Sequence, residues 1–174
     1  MTVAGAPPDP VRFIRDNTKV LRPPLVPELR LHLAEESLPI WHKTEEEIGA
    51  IGLPPPYWAF AWAGGQALAR YVLDTPEVVR GKAVLDLAAG SGLAAIAAML
   101  VGATSAIAND IDTFAIAAIG LNAELNGVSV TADASDRLTG PPAGEPVILM
   151  GPTGMPTETP TFVPSAGATS TAIN

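Results

Sequence analysis

The feature that most limits what this chain can fold into is the run Val84–Ala95, V-L-D-L-A-A-G-S-G-L-A-A. Ala83–Leu87 (AVLDL) is a short apolar stretch, the pattern of a strand buried on both faces. Gly90 and Gly92 break it, and Ser91–Val101 continues in strong helix formers up to Gly102, which stands where a C′ glycine belongs. Thr104–Ala108 (TSAIA) returns to β character and ends at Asn109-Asp110. Asp112–Leu125 reads as a helix, with Asp112 as N-cap and Asn126-Gly127 as the stop. Val128–Thr131 reads as a third strand and Val147–Met150 as a fourth. Strand, helix, strand, helix, strand at these lengths predicts a right-handed, parallel βαβαβ unit and hence an α/β fold.

Around this unit the chain changes texture. Upstream, Leu29, Leu31 and Leu33 alternate with Arg30 and His32, so Glu28–Ala34 reads as a half-exposed strand. Thr44-Glu-Glu-Glu47 has the form of a capping box opening a short helix to Ala50. Gly64–Leu73 reads as a helix that turns Leu68 and Val72 toward the sheet. Downstream, Gly140–Asn174 is dense in Pro, lacks Lys and Arg, and has Glu145 and Glu158 as its charged side chains. Pro at that density forbids regular helix and central strand. The expected organisation is an N-terminal extension over 1–74, a ligand-binding half over 75–150 and an irregular tail over 151–174.

Composition removes several classes of function. The 174 residues suit one domain. The absence of Cys excludes a disulfide scaffold, a thiolate zinc site and a cysteine nucleophile. A net charge of −8 argues against a nucleic-acid partner bound through its phosphates. Apolar residues make up 48% of the chain but aromatics 5%, so the core is expected to use small side chains at close spacing. His32 and His42 stand too far from other ligands to suggest a metal. The N-terminus lacks the order of a signal peptide, and Leu93–Val101 is far short of the ~20 residues a bilayer needs, so no membrane partner and a cytoplasmic location are expected.

The glycine loop lies beyond the carboxyl end of a parallel strand, where such folds bind ligands, and it places backbone N–H groups at a positive helix end. Asp110 follows Gly92 by 18 residues, near the distance at which an acid meets ribose hydroxyls. A nucleoside-containing ligand is implied. Gly90-Ser-Gly92-Leu-Ala-Ala95 satisfies the dinucleotide pattern G-x-G-x-x-A, which alone is weak. Asp86, at the strand end, separates the readings. It would repel the pyrophosphate of a nicotinamide dinucleotide, whereas S-adenosylmethionine offers an ammonium group that a carboxylate should hold. A plainer role remains open at this point, with Asp86 capping the turn and the glycines relieving crowding.

V-L-D-L-A-A-G-S-G followed by A-N-D-I-D resembles motif I and its successor in the class I (seven-β-strand) methyltransferases. The block Leu53–Asp74, L-P-P-P-Y-W-A-F-A-W-A-G-G-Q-A-L-A-R-Y-V-L-D, is similar to the lysine methyltransferases that modify the beta subunit of electron transfer flavoprotein. It is similar also to bacterial relatives labelled nicotinamide or ribosomal-protein methyltransferases. The resemblance runs from about Val11 to Val130. It implies a Rossmann-like parallel sheet, here with about four strands, behind an N-terminal α+β extension. It implies that Asp86, Gly90, Ser91 and Gly92 cradle the methionine half of S-adenosylmethionine. Asp110 would take the ribose hydroxyls, with Ile111 against the adenine and Asp133 accepting from the adenine amino group. Trp62 and Trp58 would wall the pocket, although plain core packing also accounts for tryptophans there.

The implied reaction is methyl transfer to a protein lysine, with electron transfer flavoprotein beta subunit as the partner. The alternatives are a small-molecule N-methyltransferase, an inactive remnant that holds the cofactor weakly or not at all, and an NAD-binding protein. In related enzymes an acid follows the glycine after the fourth strand. Here Gly151 is followed by Pro152-Thr153-Gly154, with no acid before Glu158, and neither Asp136 nor Glu145 has a supporting motif. No catalytic residue is therefore assigned. Nothing after Met150 resembles the later strands of a seven-strand sheet, so the expectation is a chain truncated or frame-shifted near Gly151.

Overall fold

The computed structural model describes residues 8–35 and 55–137, together with the backbone of the strand at 147–150. Four strands form one parallel sheet: β3 (Ala83–Leu87), β4 (Ser105–Asn109), β5 (Thr131–Asp133) and β6 (Val147–Met150), in the order β5-β4-β3-β6. The sequence steps outward from β3 through β4 to β5 and then returns to the other side of β3. That reversal opens a crevice beyond the carboxyl ends of the strands, the place where ligands sit in open α/β sheets. The register pairs Asp86 with Ala108 on one side and with Leu149 on the other.

The helices follow from local chemistry. α1 (Pro10–Asn17) starts with Pro at its first position, and the Asp9 side chain accepts from Arg12 N–H at 2.8 Å. α2 (Ala63–Asp74) buries Leu68 and Val72, as expected. α3 (Leu93–Leu100) carries no polar side chain and buries every residue from Leu93 to Ala98, with Leu100 exposed at its end. α4 (Thr113–Leu125) is capped by Asp112, whose carboxylate accepts from Phe114 N–H at 2.9 Å.

Two boundaries differ from the sequence reading. The third strand begins at Thr131 rather than Val128, because Val128 N–H is bound to Ala123 O at the end of α4. Val128 and Val130 pack against the core without entering the ladder, and their apolar spacing imitates a strand. The upstream strand is β2 (Leu31–Leu33), with Leu31 and Leu33 buried and His32 half-buried. It pairs antiparallel with β1 (Lys19–Leu21), a partner the sequence did not suggest. The expected helix over Thr44–Ala50, His42, and everything after Met150 lie outside the described residues.

The described core falls into two clusters. Val26, Leu29 and Leu31 from the front of the chain share one hydrophobic cluster with Val84, Ile96 and Ile119 of the half-sheet. A second cluster joins Ile14 of α1 to Trp58 and to Phe114 of α4, with the Trp58 and Phe114 rings stacked 6.3 Å apart. Alanine fills the narrow places: Ala94, Ala95, Ala97, Ala98, Ala106 and Ala108 are buried. Among the described residues no helix is long and apolar enough to cross a membrane, and no group of acidic or His side chains is arranged to hold a metal.

Two asparagines one turn apart, Asn122 on α4 and Asn126 at its C-cap, hold β2 and the residue before it in place. Asn122, fully buried, accepts from His32 N–H at 2.7 Å and donates to Ser91 O at 2.9 Å. Asn126 accepts from Arg30 N–H at 2.9 Å and donates to Arg30 O at 2.7 Å. They serve β2 as a substitute strand edge. Replacing Asn122 by Ala leaves a buried donor and a buried acceptor without partners and should cost roughly 2–4 kcal/mol. Asn126→Ala, at an exposed pair that water can replace, should cost about 1 kcal/mol. Urea denaturation of the two variants checks the order; equal losses would contradict it.

Candidate functional site

A cleft of about 300 Å³ lies over the carboxyl end of β3. Its floor is the loop segment Ala88–Ser91, and Ala88, Gly90 and Gly92 of this loop all have positive φ (53°, 52° and 78°). The loop is tied to β4 by Ala89 N–H to Asn109 O at 3.0 Å, and Gly92 N–H closes on Ala89 O at 2.8 Å. Tyr57, Trp58, Phe60 and Trp62 line one side of the cleft, and Asp86, Asp110 and Asp112 supply its charge.

The carboxylates are held in different ways. Asp86 is 3% exposed, and one of its oxygens accepts from Ala95 N–H of α3 at 3.0 Å. Burial pushes its pKa up to about 7; the Ala95 N–H offsets part of this, and the neighbouring Asp110 adds to it. Asp110 accepts from Gly90 N–H at 2.9 Å through one oxygen and from Asp112 N–H at 3.0 Å through the other. Asp112 is also raised, chiefly by burial, despite the Phe114 N–H that it caps. Among the described residues lining the cleft there is no Lys, Arg or His.

That donor set decides what the cleft suits. Three carboxylates without a base repel a pyrophosphate and favour a ligand carrying positive charge. An ammonium beside Asp86 would replace the hydration its buried carboxylate lacks. Asp110 keeps free lone pairs, since two N–H bonds leave room on its oxygens for two hydroxyl donors. A cationic nucleoside therefore fits the residues present.

The structure distributes the residues singled out from sequence unevenly. Asp86, Gly90, Ser91, Asp110, Trp58 and Trp62 all border the cleft. Asp86 both caps α3 and lines the cleft, so the capping role does not remove it from the site. Gly92 does not border it; a Cβ there would meet Ile119 Cγ1 at 3.1 Å, so this glycine lets α3 approach α4. Ile111 does not line the cleft and is 78% exposed. Asp133 is also outside, with its carboxylate bound to Ser135 and Arg137, contacts that hold its pKa down at about 2. Trp58 is buried against Phe114, while Trp62 is open and donates its indole N–H to Tyr57 O at 2.9 Å.

Sequence reasoning missed four participants. Tyr57 and Phe60 complete the aromatic side of the cleft, and their only signal was their place in the block P-P-P-Y-W-A-F-A-W. Asn109, buried, donates to Asp133 O at 2.9 Å and Ser135 O at 2.8 Å, fixing the turn after β5. Gln66 accepts from Leu25 N–H at 3.0 Å and donates to Ala61 O, so it braces the turn that carries the tryptophans.

The sequence model of the family described as "Ribosomal protein L11 methyltransferase (PrmA)" matches residues 66–143, a span that includes Asp86, Gly90 and Asp110. The chain is 42% identical over 149 residues to the electron transfer flavoprotein beta subunit lysine methyltransferase of Danio rerio, covering 84% of this chain and 57% of that protein. It is 48% identical over 120 residues to the enzyme of the same name from Homo sapiens, covering 68% of this chain and 45% of that protein. The chain thus spans about half the length of the curated relatives it matches. Among solved structures, a ribosomal protein L11 methylase from Lactobacillus delbrueckii subsp. bulgaricus is 30% identical, with a TM-score of 0.45 over 52% of this chain and 47% of that one.

Two stability measurements test this geometry. Because the folded pKa of Asp86 is raised, its contribution to stability is fully present below about 3.8 and is lost as pH rises through about 7. Asp86→Asn should remove that slope, so the variant gains on the parent by about 2–4 kcal/mol between pH 4 and 7 in urea titrations. A constant difference across that window would refute the assignment. Ala88 carries a side chain in the left-handed region at φ 53°, so Ala88→Gly should raise stability by about 0.5–1 kcal/mol, and a loss would show the backbone there to be unstrained.

Proposed function

Because the chain belongs to the class I (seven-β-strand) methyltransferases, which use S-adenosylmethionine, we propose that it is a protein-lysine N-methyltransferase acting on electron transfer flavoprotein beta subunit. The observation that carries the cofactor reading is Asp86, a buried carboxylate facing a cleft with no cationic side chain among its described lining residues. Asp86 would hold the ammonium of the methionine half, and the backbone of Gly90 and Ser91 would approach that half closely. Asp110 would accept from both ribose hydroxyls. Ile111, exposed at the end of β4, would supply an apolar surface for the adenine. Trp62 and the inner edge of Trp58 would close the methionine end. The acceptor is drawn from the likeness in sequence to the flavoprotein-specific enzymes, which extends well upstream of the glycine loop.

When bound, S-adenosylmethionine supplies a methyl carbon made electrophilic by its sulfonium sulfur. Held by Asp86 and Asp110, it would give that methyl to an acceptor nitrogen that sheds one proton, with the carbon–sulfur bond electrons left on sulfur. The lysine must be neutral to act, which at a pKa near 10.4 requires a desolvating site or a proton acceptor. The chain's contribution is alignment and exclusion of water by the apolar walls Phe60, Trp62, Leu68 and Leu93.

Calorimetric titration with S-adenosylhomocysteine tests the cofactor step. Binding should be measurable, and Asp86→Asn should weaken it about 10- to 100-fold through loss of a charge-assisted contact. No heat at high micromolar ligand would overturn the reading and favour a remnant without cofactor. Incubation with labelled methyl donor and cell extract then tests the acceptor. Label on a protein band of the flavoprotein beta subunit is expected; label confined to small molecules would favour a small-molecule N-methyltransferase.

A further inference from the structure

Tyr57, Phe60 and Trp62 form a three-ring cluster on the wall of the cleft, and all three line it. Trp62 is the middle ring, 6.1 Å from Tyr57 at an interplanar angle of 60° and 5.7 Å from Phe60 at 58°. Tilts of that size mean that no ring of the cluster lies flat on its neighbour. Tyr57 and Trp62 are each 46% exposed, a large opening for aromatic side chains next to a well-filled core. Trp58 provides the contrast within the same turn: its ring is stacked at 13° on Phe114 and is committed to the interior. The indole of Trp62 is fixed by its N–H bond to Tyr57 O, so the cluster is held in shape before any ligand arrives.

The electrostatic setting points the same way. The cleft carries Asp86, Asp110 and Asp112 and, among its described lining residues, no cation. Aromatic faces are negative and attract cations, most strongly where water is scarce. Rings of this kind beside buried carboxylates therefore make a site for a small, poorly hydrated cation rather than a purely apolar pocket. We propose that Tyr57, Phe60 and Trp62 form an onium-binding subsite, one that receives an alkylated sulfonium or ammonium head by cation–π contact. This rests on the methyltransferase reading and deepens it. The same chemistry is presented by two sources, the S-methyl sulfonium of the donor and the ammonium of the acceptor lysine with its methylated products.

The test starts from the full chain with choline and its neutral isostere 3,3-dimethylbutanol, titrated against tryptophan fluorescence. Choline should bind more tightly, about 3- to 10-fold, and Phe60→Leu and Tyr57→Leu, which keep apolar bulk but lose a ring, should erase that preference. Equal binding of the two probes to the parent protein would overturn the proposal by showing a merely hydrophobic pocket. A preference that survives both substitutions would overturn it as well. The source is then separated by calorimetry. If the sulfonium is the occupant, S-adenosylmethionine should bind more tightly than S-adenosylhomocysteine, and the Leu variants should narrow that margin by weakening S-adenosylmethionine more than S-adenosylhomocysteine. If the lysine head is the occupant, the margin is unchanged and the variants weaken a trimethyl-lysine peptide instead. Because the choline comparison needs no cofactor, a failure to bind S-adenosylhomocysteine would count against the methyltransferase reading and leave the subsite test in force.

Discussion

The side-chain amide of Asn122 is the interaction on which the rest of the described structure turns. It sits fully buried between the backbone of β2 and the backbone of the glycine loop, accepting from His32 and donating to Ser91. A buried backbone group without a partner is costly, so each of these segments needs the other to be in place. The front of the chain and the half-sheet consequently share one core rather than packing as separate bodies. Loop shape, in turn, sets the position of Gly90 N–H and through it the Asp110 carboxylate. An asparagine in the middle of a helix thus reaches the ligand cleft without lining it.

The cleft is built against its own electrostatics. Burial raises the cost of ionising Asp86 and Asp112, and the neighbouring Asp110 adds to it for both. Local N–H groups offset part of that cost, Ala95 for Asp86 and Phe114 for Asp112, while Gly90 and Asp112 donate to Asp110. Each of these donors is a loop or first-turn amide, where helical partners are missing. The carboxylates therefore stabilise the helix starts while the ligand site stays short of positive charge. A cationic ligand completes the balance that the protein leaves open, and this connects the fold to the chemistry of a methyl donor.

Much of this was legible in the sequence wherever a local rule and the tertiary environment agreed. Ala83–Leu87, the Asp112 cap and the helix ending at Asn126-Gly127 followed from periodicity and capping chemistry, and each is present. The loss of accuracy at Val128 has a physical cause. Apolar side chains at a helix exit satisfy the core through packing while their backbone still belongs to the helix end. The sequence reading passed over α1, whose cue is the cap and first-position proline Asp9-Pro10 at the head of only 8 helical residues. β1 could not be read at all, because three residues with mostly exposed side chains carry no face pattern. Asn122 and Gln66 were invisible for a deeper reason: an amide buried to satisfy distant backbone looks like any surface polar residue in the sequence.

The glycine motif shows where pattern and cause part company. Read as letters, Gly90 and Gly92 are equivalent members of one phosphate-loop-like signature. In the structure they answer different demands. At Gly90 the constraint is conformational, a left-handed backbone whose N–H is aimed at Asp110, and the space for a Cβ is ordinary. At Gly92 the left-handed conformation coincides with a steric limit set by Ile119, which decides how close α3 and α4 can lie. Ala88 occupies a third left-handed position without the freedom glycine would give. The loop's geometry is therefore held by its anchors, Asn109 O, Asn122 and Asp110, rather than by glycine content alone. A site so anchored can keep its shape with a side chain at one of its left-handed positions, and the motif's spelling is a looser constraint than the hydrogen bonds behind it.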